Sequence, residues 1–221
     1  MIARLMKLSA AICAGALMAG CAVKPPKNVD YTAFKASKPH SILVLPPLNS
    51  SPDIGATYSV LSQVTMPLAE AGYYVIPVSL ADETFRQNGL TVAGDIHQVP
   101  VPKLREIFGA DAALYITVTQ YGTKYMVVDS ATIVAANAKL VDMKTGATLW
   151  SGSAAASNNE GGNNSGGGLI GMLITAALKQ IINNATDAGY KVAGTTSARL
   201  LSAGHPGGLL YGPRSPKYGT D

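Results

Sequence analysis

The chain has 221 residues, 48% of them apolar and 14% charged, with a formal charge of +4. Removing Arg4 and Lys7 leaves +2, and no cluster of five or more lysines and arginines occurs. The isoelectric point near 9.0 is therefore not a nucleic-acid signature. The apolar content supplies a core for one domain of about 200 residues once a leader is removed.

Arg4 and Lys7 precede an uncharged run from Leu8 to Gly20. Its apolar part is shorter than the ~20 residues a membrane-spanning helix takes. A basic start, a short apolar middle and small residues before a cut site describe a secretory signal peptide, residues 1–20. Leu17-Met18-Ala19-Gly20-Cys21 resembles the lipobox of bacterial lipoproteins, with Met18 where Leu is commoner. An ordinary signal peptide with a chance cysteine is the plain alternative; position, apolar run and small residues together favour the lipobox. The resemblance implies a diacylglyceryl group on the thiol of Cys21, cleavage before it and acylation of the new amino terminus. Several acyl chains anchor a protein stably where one does not. Cys13 leaves with the leader, so the mature chain has no cysteine pair for a disulfide or a metal. Ala22, rather than Asp, follows the lipobox; by resemblance to known sorting rules this implies the outer membrane, with the domain facing the periplasm.

Residues 21–40 are polar and proline-bearing and read as a lipidated tether. The α/β domain spans 41–202. Its first strand is Ser41–Pro46 (SILVLP), followed by a loop, LNSSPDIGA. From Thr57 to Ala71, Val60, Leu61, Val64, Leu68 and Ala71 recur at helical spacing. Pro67 kinks that helix or starts its last turn, and Gly72 ends it. Tyr73–Val78 is the second strand, which makes a βαβ-like unit with a parallel pair. Ser79–Asp82 resembles a capping box opening a helix to Asn88, with Gly89 as its stop. Val101–Gly109 is a short helix with Pro102 in its first turn and Leu104, Ile107 and Phe108 as its buried face.

Ala113–Gln120 and Ser130–Asp142 read as strands, Asp142–Gly146 as a hairpin turn and Ala147–Ala155, with Trp150, as the returning strand. Residues 157–168, SNNEGGNNSGGG, form a flexible loop. Leu169–Ala185 is a strongly apolar helical stretch. Core packing is the favoured place for it, with the membrane interface or an oligomer contact as alternatives. A second helix runs from Asp187 to Leu201, with Tyr190, Ala193, Ser197 and Leu200 in step. Residues 203–221 read as a disordered tail.

Catalytic and cofactor patterns are weak. GGNNSGGG lacks the lysine that a phosphate loop places at its helix start; Gly168 leads into Leu169 and Ile170. His40, His97 and His205 lie far apart in sequence. Asp95 and His97 with Asp82 or Glu83 lack the spacing of a metal site. Asp82 and Glu83 read better as first-turn acids. No G-x-S-x-G elbow occurs. No catalytic residue, metal ligand or cofactor is assigned; the one modification site is Cys21.

ILVLPPLNSSPDI, PLAEAGYYVIPV, ETFRQNGL, KLREIFGADAALYITVTQYG and LVDMKTGATLW together resemble a group of Gram-negative lipoproteins filed as a domain of unknown function. The resemblance covers roughly residues 40–202. It implies an α/β fold similar to the amino-terminal domain of TolB, a mixed sheet of about five strands with packed helices, distantly related to the curli-secretion and Pel-export lipoproteins. It implies no established activity. The expected role is a non-enzymatic subunit or scaffold of an envelope assembly or export complex, with a curli-secretion-like lipoprotein or a second copy as partner and no nucleic acid. A binding module for cell-wall glycan or a secreted polymer is the alternative, and a hydrolase with an unrecognised site the remotest. No pair of alternating apolar and polar hairpins marks a self-formed pore.

Overall fold

The computed structural model describes residues 29–125, 130–160 and 187–221. The leader, Cys21, most of the glycine-asparagine loop and the apolar stretch 169–185 lie outside them. The described residues build one mixed sheet of six strands, ordered β3-β1-β4-β5-β6, with β2 also paired to β4. The strands are β1 (Ser41–Val44), β2 (Leu48–Asn49), β3 (Tyr74–Val75), β4 (Ala112–Tyr125), β5 (Ser130–Asp142) and β6 (Thr148–Ser157).

Strand β1 runs parallel to β3 on one side and to β4 on the other, as a βαβ unit requires. It is buried on both faces, so its residues alternate between two cores. Ile42 and Val44 join the larger one; Leu43 and Leu45 join the smaller. The larger core is covered by α2 (Ala56–Leu61), α3 (Thr65–Glu70) and α7 (Asp187–Leu201). The smaller is covered by α4 (Val78–Gln87), α5 (Ala93–Ile96) and α6 (Val101–Phe108). A β-bulge between Val118 and Gln120 turns Tyr121 onto the larger core, where Val118 also points.

The turn after β5 is built as its residues dictate. Asp142 Oδ1 accepts from the backbone N–H of Lys144 and of Thr145 and from the Thr145 hydroxyl, and Gly146 takes a positive φ of 75°. Helix α6 carries proline in its first turn and ends on left-handed Gly109.

Five expectations need correction. The helix from 57 to 71 is two helices, broken at Ser62–Val64. The Pro67 ring clashes with the carbonyl four residues back, so α3 starts afresh at Thr65 and no helix runs through. The capping box at Ser79 does not form: α4 already begins at Val78, no side chain caps it, and Asp82 pairs with Arg86 one turn on, at 3.1 Å, outside the first turn. Ile107 is 44% exposed, since α6 lies on the sheet through Leu104 and Phe108. Tyr190 is likewise half exposed, because Gly189 occupies the inward position at that turn of α7; a Cβ there would stand 2.9 Å from the Tyr121 hydroxyl.

The fifth correction concerns both ends of the described chain. The tether contains a helix, α1 (Thr32–Ser37), with Phe34 buried. The tail, 203–221, is a strap across the larger core. Its glycine and proline content suggested disorder, but its backbone groups find fixed partners. Trp150 Nε1 donates to Gly207 O at 2.9 Å, the Tyr31 hydroxyl to Gly208 O at 2.6 Å and the Tyr73 hydroxyl to Leu210 O. Gly212 N donates to Ala71 O and Arg214 N to Gly72 O. The two backbones meet so closely that a Cβ on Gly212 would lie 2.6 Å from Gly72 O.

Candidate functional site

The carboxyl end of β1 opens into a groove of about 350 Å³, its walls mixing Leu48, Ile54, Tyr58 and Val92 with the polar Asn49, Thr57, Asp82 and Thr91. Open α/β sheets commonly place ligand crevices at this end of their parallel strands. Short strand β2 holds one wall against β4 through Leu48↔Thr117 and Asn49↔Val118. The loop that follows is tied to itself. Asn49 Nδ2 donates to Asp53 O at 2.6 Å, and Ser51 donates to Asn49 Oδ1 through both its backbone N–H and its hydroxyl. Asp53 is 4% exposed, and its Oδ1 accepts from Gly55 N at 2.8 Å. Between these two anchored residues Ile54 stands 94% exposed.

Tyr58 and Val92 extend the apolar rim, and both are largely exposed. Tyr58 is held by Arg86, whose Nη2 donates to its hydroxyl at 2.9 Å and whose guanidinium lies 5.7 Å from the ring centroid. Arg86 is in turn paired with Asp82. The rim thus combines large apolar side chains with backbone and charge contacts that fix their positions. Chemically, it can bury apolar surface of a partner; it brings no nucleophile and base together.

The expected titratable residues have structural places. His97 closes α5 and its Nε2 lies 2.9 Å from Pro46 O, behind the groove. Its ring meets Tyr115 edge-on at 5.2 Å. Burial pushes the imidazole pKa down, Lys139 adds to that, and the Pro46 bond opposes it. The ring is therefore neutral near pH 7 and donates from Nε2 to the carbonyl. His40 sits beside Asp111, whose Oδ2 accepts from the backbone of His40 and Ser41; His205 lies in the strap. Nothing brings the three histidines, or Asp82, Glu83 and Asp95, to one point. Among the described residues no three His, Cys, Asp or Glu side chains are grouped to hold a metal ion. Cys21 lies outside the described residues.

A second cleft, of about 300 Å³, lies at the opposite end of the sheet between α1 and the strap. Lys35, Lys38, Tyr73, Tyr211, Tyr218 and Asp221 contribute to its walls. Lys35 Nζ donates to Asp221 O at 3.0 Å, and Tyr211 N to Asp221 Oδ2 at 2.7 Å. Burial raises the Tyr73 pKa, so its phenol stays protonated and holds Leu210.

Sequence patterning does not single out Ile54, Tyr58 and Val92, the large exposed side chains of the groove. Ile54 and Val92 are single large apolar residues inside turn-forming stretches, PDIGA and LTVAG, and Tyr58 lies on helix α2. Exposure of Ile54 depends on the loop network around it, which no periodicity encodes.

The chain matches the family described as "Putative lipoprotein GNA1162-like" over residues 29–214. It is similar to the "Putative lipoprotein NMB1124/NMB1162" of Neisseria meningitidis serogroup B, 53% identical over 197 residues, which are 89% of this chain and 91% of that protein. Among solved structures it is similar to lipoprotein GNA1162 from Neisseria meningitidis, with 57% identity and a TM-score of 0.53 over 62% of this chain and 94% of the other. A remoter likeness, 15% identical with a TM-score of 0.44 over 74% and 86% of the chains, is to a PelC dodecamer from Paraburkholderia phytofirmans.

Proposed function

The chain belongs to the GNA1162-like lipoprotein family, and on that premise we propose that its domain is a non-enzymatic docking subunit of an envelope assembly or export complex. Lipid on Cys21 fixes it to the outer membrane, and the domain faces the periplasm. The groove at the carboxyl end of β1 receives an apolar segment of a partner protein. The observation that carries this reading is Ile54, almost wholly exposed yet pinned between Asp53 and Gly55 by hydrogen bonds. An exposed apolar side chain on a fixed loop beside a groove of mixed polar and apolar lining suits a pre-formed contact, because little ordering entropy is lost on binding.

The test is co-purification from detergent-solubilised envelopes. Ile54→Glu places a charge in the groove without touching the core. It is expected to remove the partners that the wild-type chain brings down. Recovery of the same partners by Ile54→Glu and Val92→Glu would reject the groove as the docking site.

A glycan-binding role has one observation in its favour. Tyr115, Lys139 and Ser151 stand in cross-strand register, next to Thr117, Asn137 and Ser153, on the sheet face beyond α5. Lys139 Nζ lies 5.0 Å from the Tyr115 ring centroid. An aromatic ring among hydroxyls and an amide suits a sugar. Chemical-shift changes at Asn137 and Ser153 on adding muropeptides would support that role; silence there would discard it.

A further inference from the structure

We propose that the outer edge of β6 pairs with the same edge of a second copy of this chain, antiparallel, about a two-fold axis through Ser153. The contact is separate from the groove, since β4 and β5 lie between β1 and β6 in the sheet. The two edges of the sheet are treated differently. Strand β3 is only 2 residues long, and the strap runs beside it, with Gly212 N donating to Ala71 O and Arg214 N to Gly72 O. A short edge strand and a covering segment are two ways in which proteins block an edge. Strand β6 has 10 residues, Thr148–Ser157, with neither a charge nor a proline among them. A long, uncharged edge of this kind is a template for another strand.

The hydrogen bonds fix which backbone groups face outward. In an antiparallel pair, residues that bond the neighbouring strand alternate with residues that point away from it. Arg199 Nη1 donates to Ala155 O at 2.9 Å, and Ser157 N donates to Glu160 Oε1 at 2.7 Å, so Ala155 and Ser157 point away from β5. Asn158 N turns back to Thr132 O of β5, as the alternation requires. Ser151 and Ser153, in register with Lys139 and Asn137, therefore point outward too. Among the described residues nothing pairs with the N–H or C=O of Ser151 or Ser153, or with the N–H of Ala155. Arg199 and Glu160, bonded to each other, stand where a neighbouring strand would continue beyond Ala155. They close the edge at that end and leave residues 151–155 open.

A second β6 is the occupant because the open window is its own complement. With the axis at Ser153, each Ser153 N–H donates to Ser153 C=O of the other copy, and each Ala155 N–H to Ser151 C=O of the other copy. Ser151 N–H meets Ala155 C=O, which keeps a second lone pair beside its bond from Arg199. Every open donor thus finds an acceptor. Ser151, Gly152, Ser153, Ala154 and Ala155 bring only hydroxyl, methyl and hydrogen to the contact, and Ser151 and Ser153 are exposed. No like charges stand opposite each other, which would weaken the pair. The axis is perpendicular to the sheet, so the helices over the larger core lie on the same side in both copies. Such a contact is isologous and closes at two copies.

The experiment uses the mature chain with Cys21→Ser and follows sedimentation equilibrium across concentration. One strand edge is a small interface, so a dimer that dissociates in the micromolar range is expected, and it separates in dilute extracts. Ser153→Pro deletes an N–H that the β5 ladder does not use, and proline is tolerated at such edge positions. It removes both central bonds and should weaken association about thirtyfold or more. Ser153→Lys keeps every backbone group and sets two cations opposite each other, so it should weaken association even if the proline variant folds poorly. Amide exchange at Ser151 and Ser153 should slow as the dimer forms, while Ser157, held by Glu160 throughout, should not change. Ile54→Glu should leave the dimer intact, which tells this contact from the groove. A wild-type chain that stays monomeric at about 1 mM, or a dimer that both Ser153 variants leave unchanged, overturns the proposal. So does loss of envelope partners in Ser153→Pro when the wild type never self-associates, since the edge then takes a foreign strand. Slow exchange at Ser153 in the dilute monomer also overturns it, because the chain's own residues then cover the edge.

Discussion

The two ends of the sheet are built on opposite principles. At the amino-terminal end, residues with little regular structure are drawn inward. A strap rich in glycine and proline is fixed by Tyr31, Tyr73 and Trp150, and polar side chains such as Asp142 spend their bonding capacity on the fold. At the carboxyl end of β1, an equally irregular loop is tied by Asn49 and Asp53, but its ties push an apolar side chain outward. The same chemistry closes one surface and presents another. Loss of a tether at the first end should cost stability; at the second it should cost recognition.

The largest expected effect is at the strap. Trp150→Ala removes a buried ring and the bond to Gly207, with an expected loss of about 3–5 kcal/mol in denaturant unfolding. Faster hydrogen exchange at the amides of Gly212 and Arg214 should accompany it; unchanged exchange there would show that the strap is held without Trp150. Gly212→Ala comes next. The added methyl meets Gly72 O, and repacking should cost about 1–3 kcal/mol, with earlier proteolysis of the carboxyl-terminal residues as the readout.

The two ends should also separate by pH. His97 has a folded pKa below its unfolded value near 6.5, so the unfolded chain binds the proton more tightly. Its contribution is fully present above about pH 6.5 and is lost as pH falls below it. Asp142 behaves differently. Burial works to raise its pKa, but bonds from Ser37, Thr145 and Lys144 outweigh it, so the folded value lies below the ordinary 3.8. Its contribution is present above about pH 3.8 and is lost as pH falls further. Unfolding curves between pH 8 and pH 5 should show a decline in the wild-type chain that His97→Gln flattens. A decline that survives in His97→Gln would assign it elsewhere. The smallest stability effect is expected at Ile54→Glu, within about 0.5 kcal/mol of wild type, because the side chain is in water already.

Legibility in the sequence follows the same division. Strand β5 and helix α7 are found where patterning places them, Ser130–Asp142 and Asp187–Leu201. The turn between β5 and β6 is equally plain, because Asp, Thr and Gly each have one strong local preference there. The parallel pairing of β1 and β3 is also readable, from strand, helix and strand in close succession. The strap is not readable. Its order comes from long-range bonds to Tyr31, Tyr73 and Trp150, more than fifty residues away, while its own composition favours turns. The break before Pro67 is foreshadowed by the proline, yet the apolar spacing hides it. The groove is the least legible part, since the role proposed for Ile54 rests on its exposure, and exposure is a property of the assembled loop.

The central claim is that the groove, not the strap, carries recognition. Its most direct measurement is the size of the complex that holds the native lipoprotein in mild detergent, compared with that of the Ile54→Glu, Val92→Glu double variant. The account predicts that the wild type migrates as a large assembly and the variant as a free chain with unchanged melting. Equal migration of the two, with both folded, would contradict it.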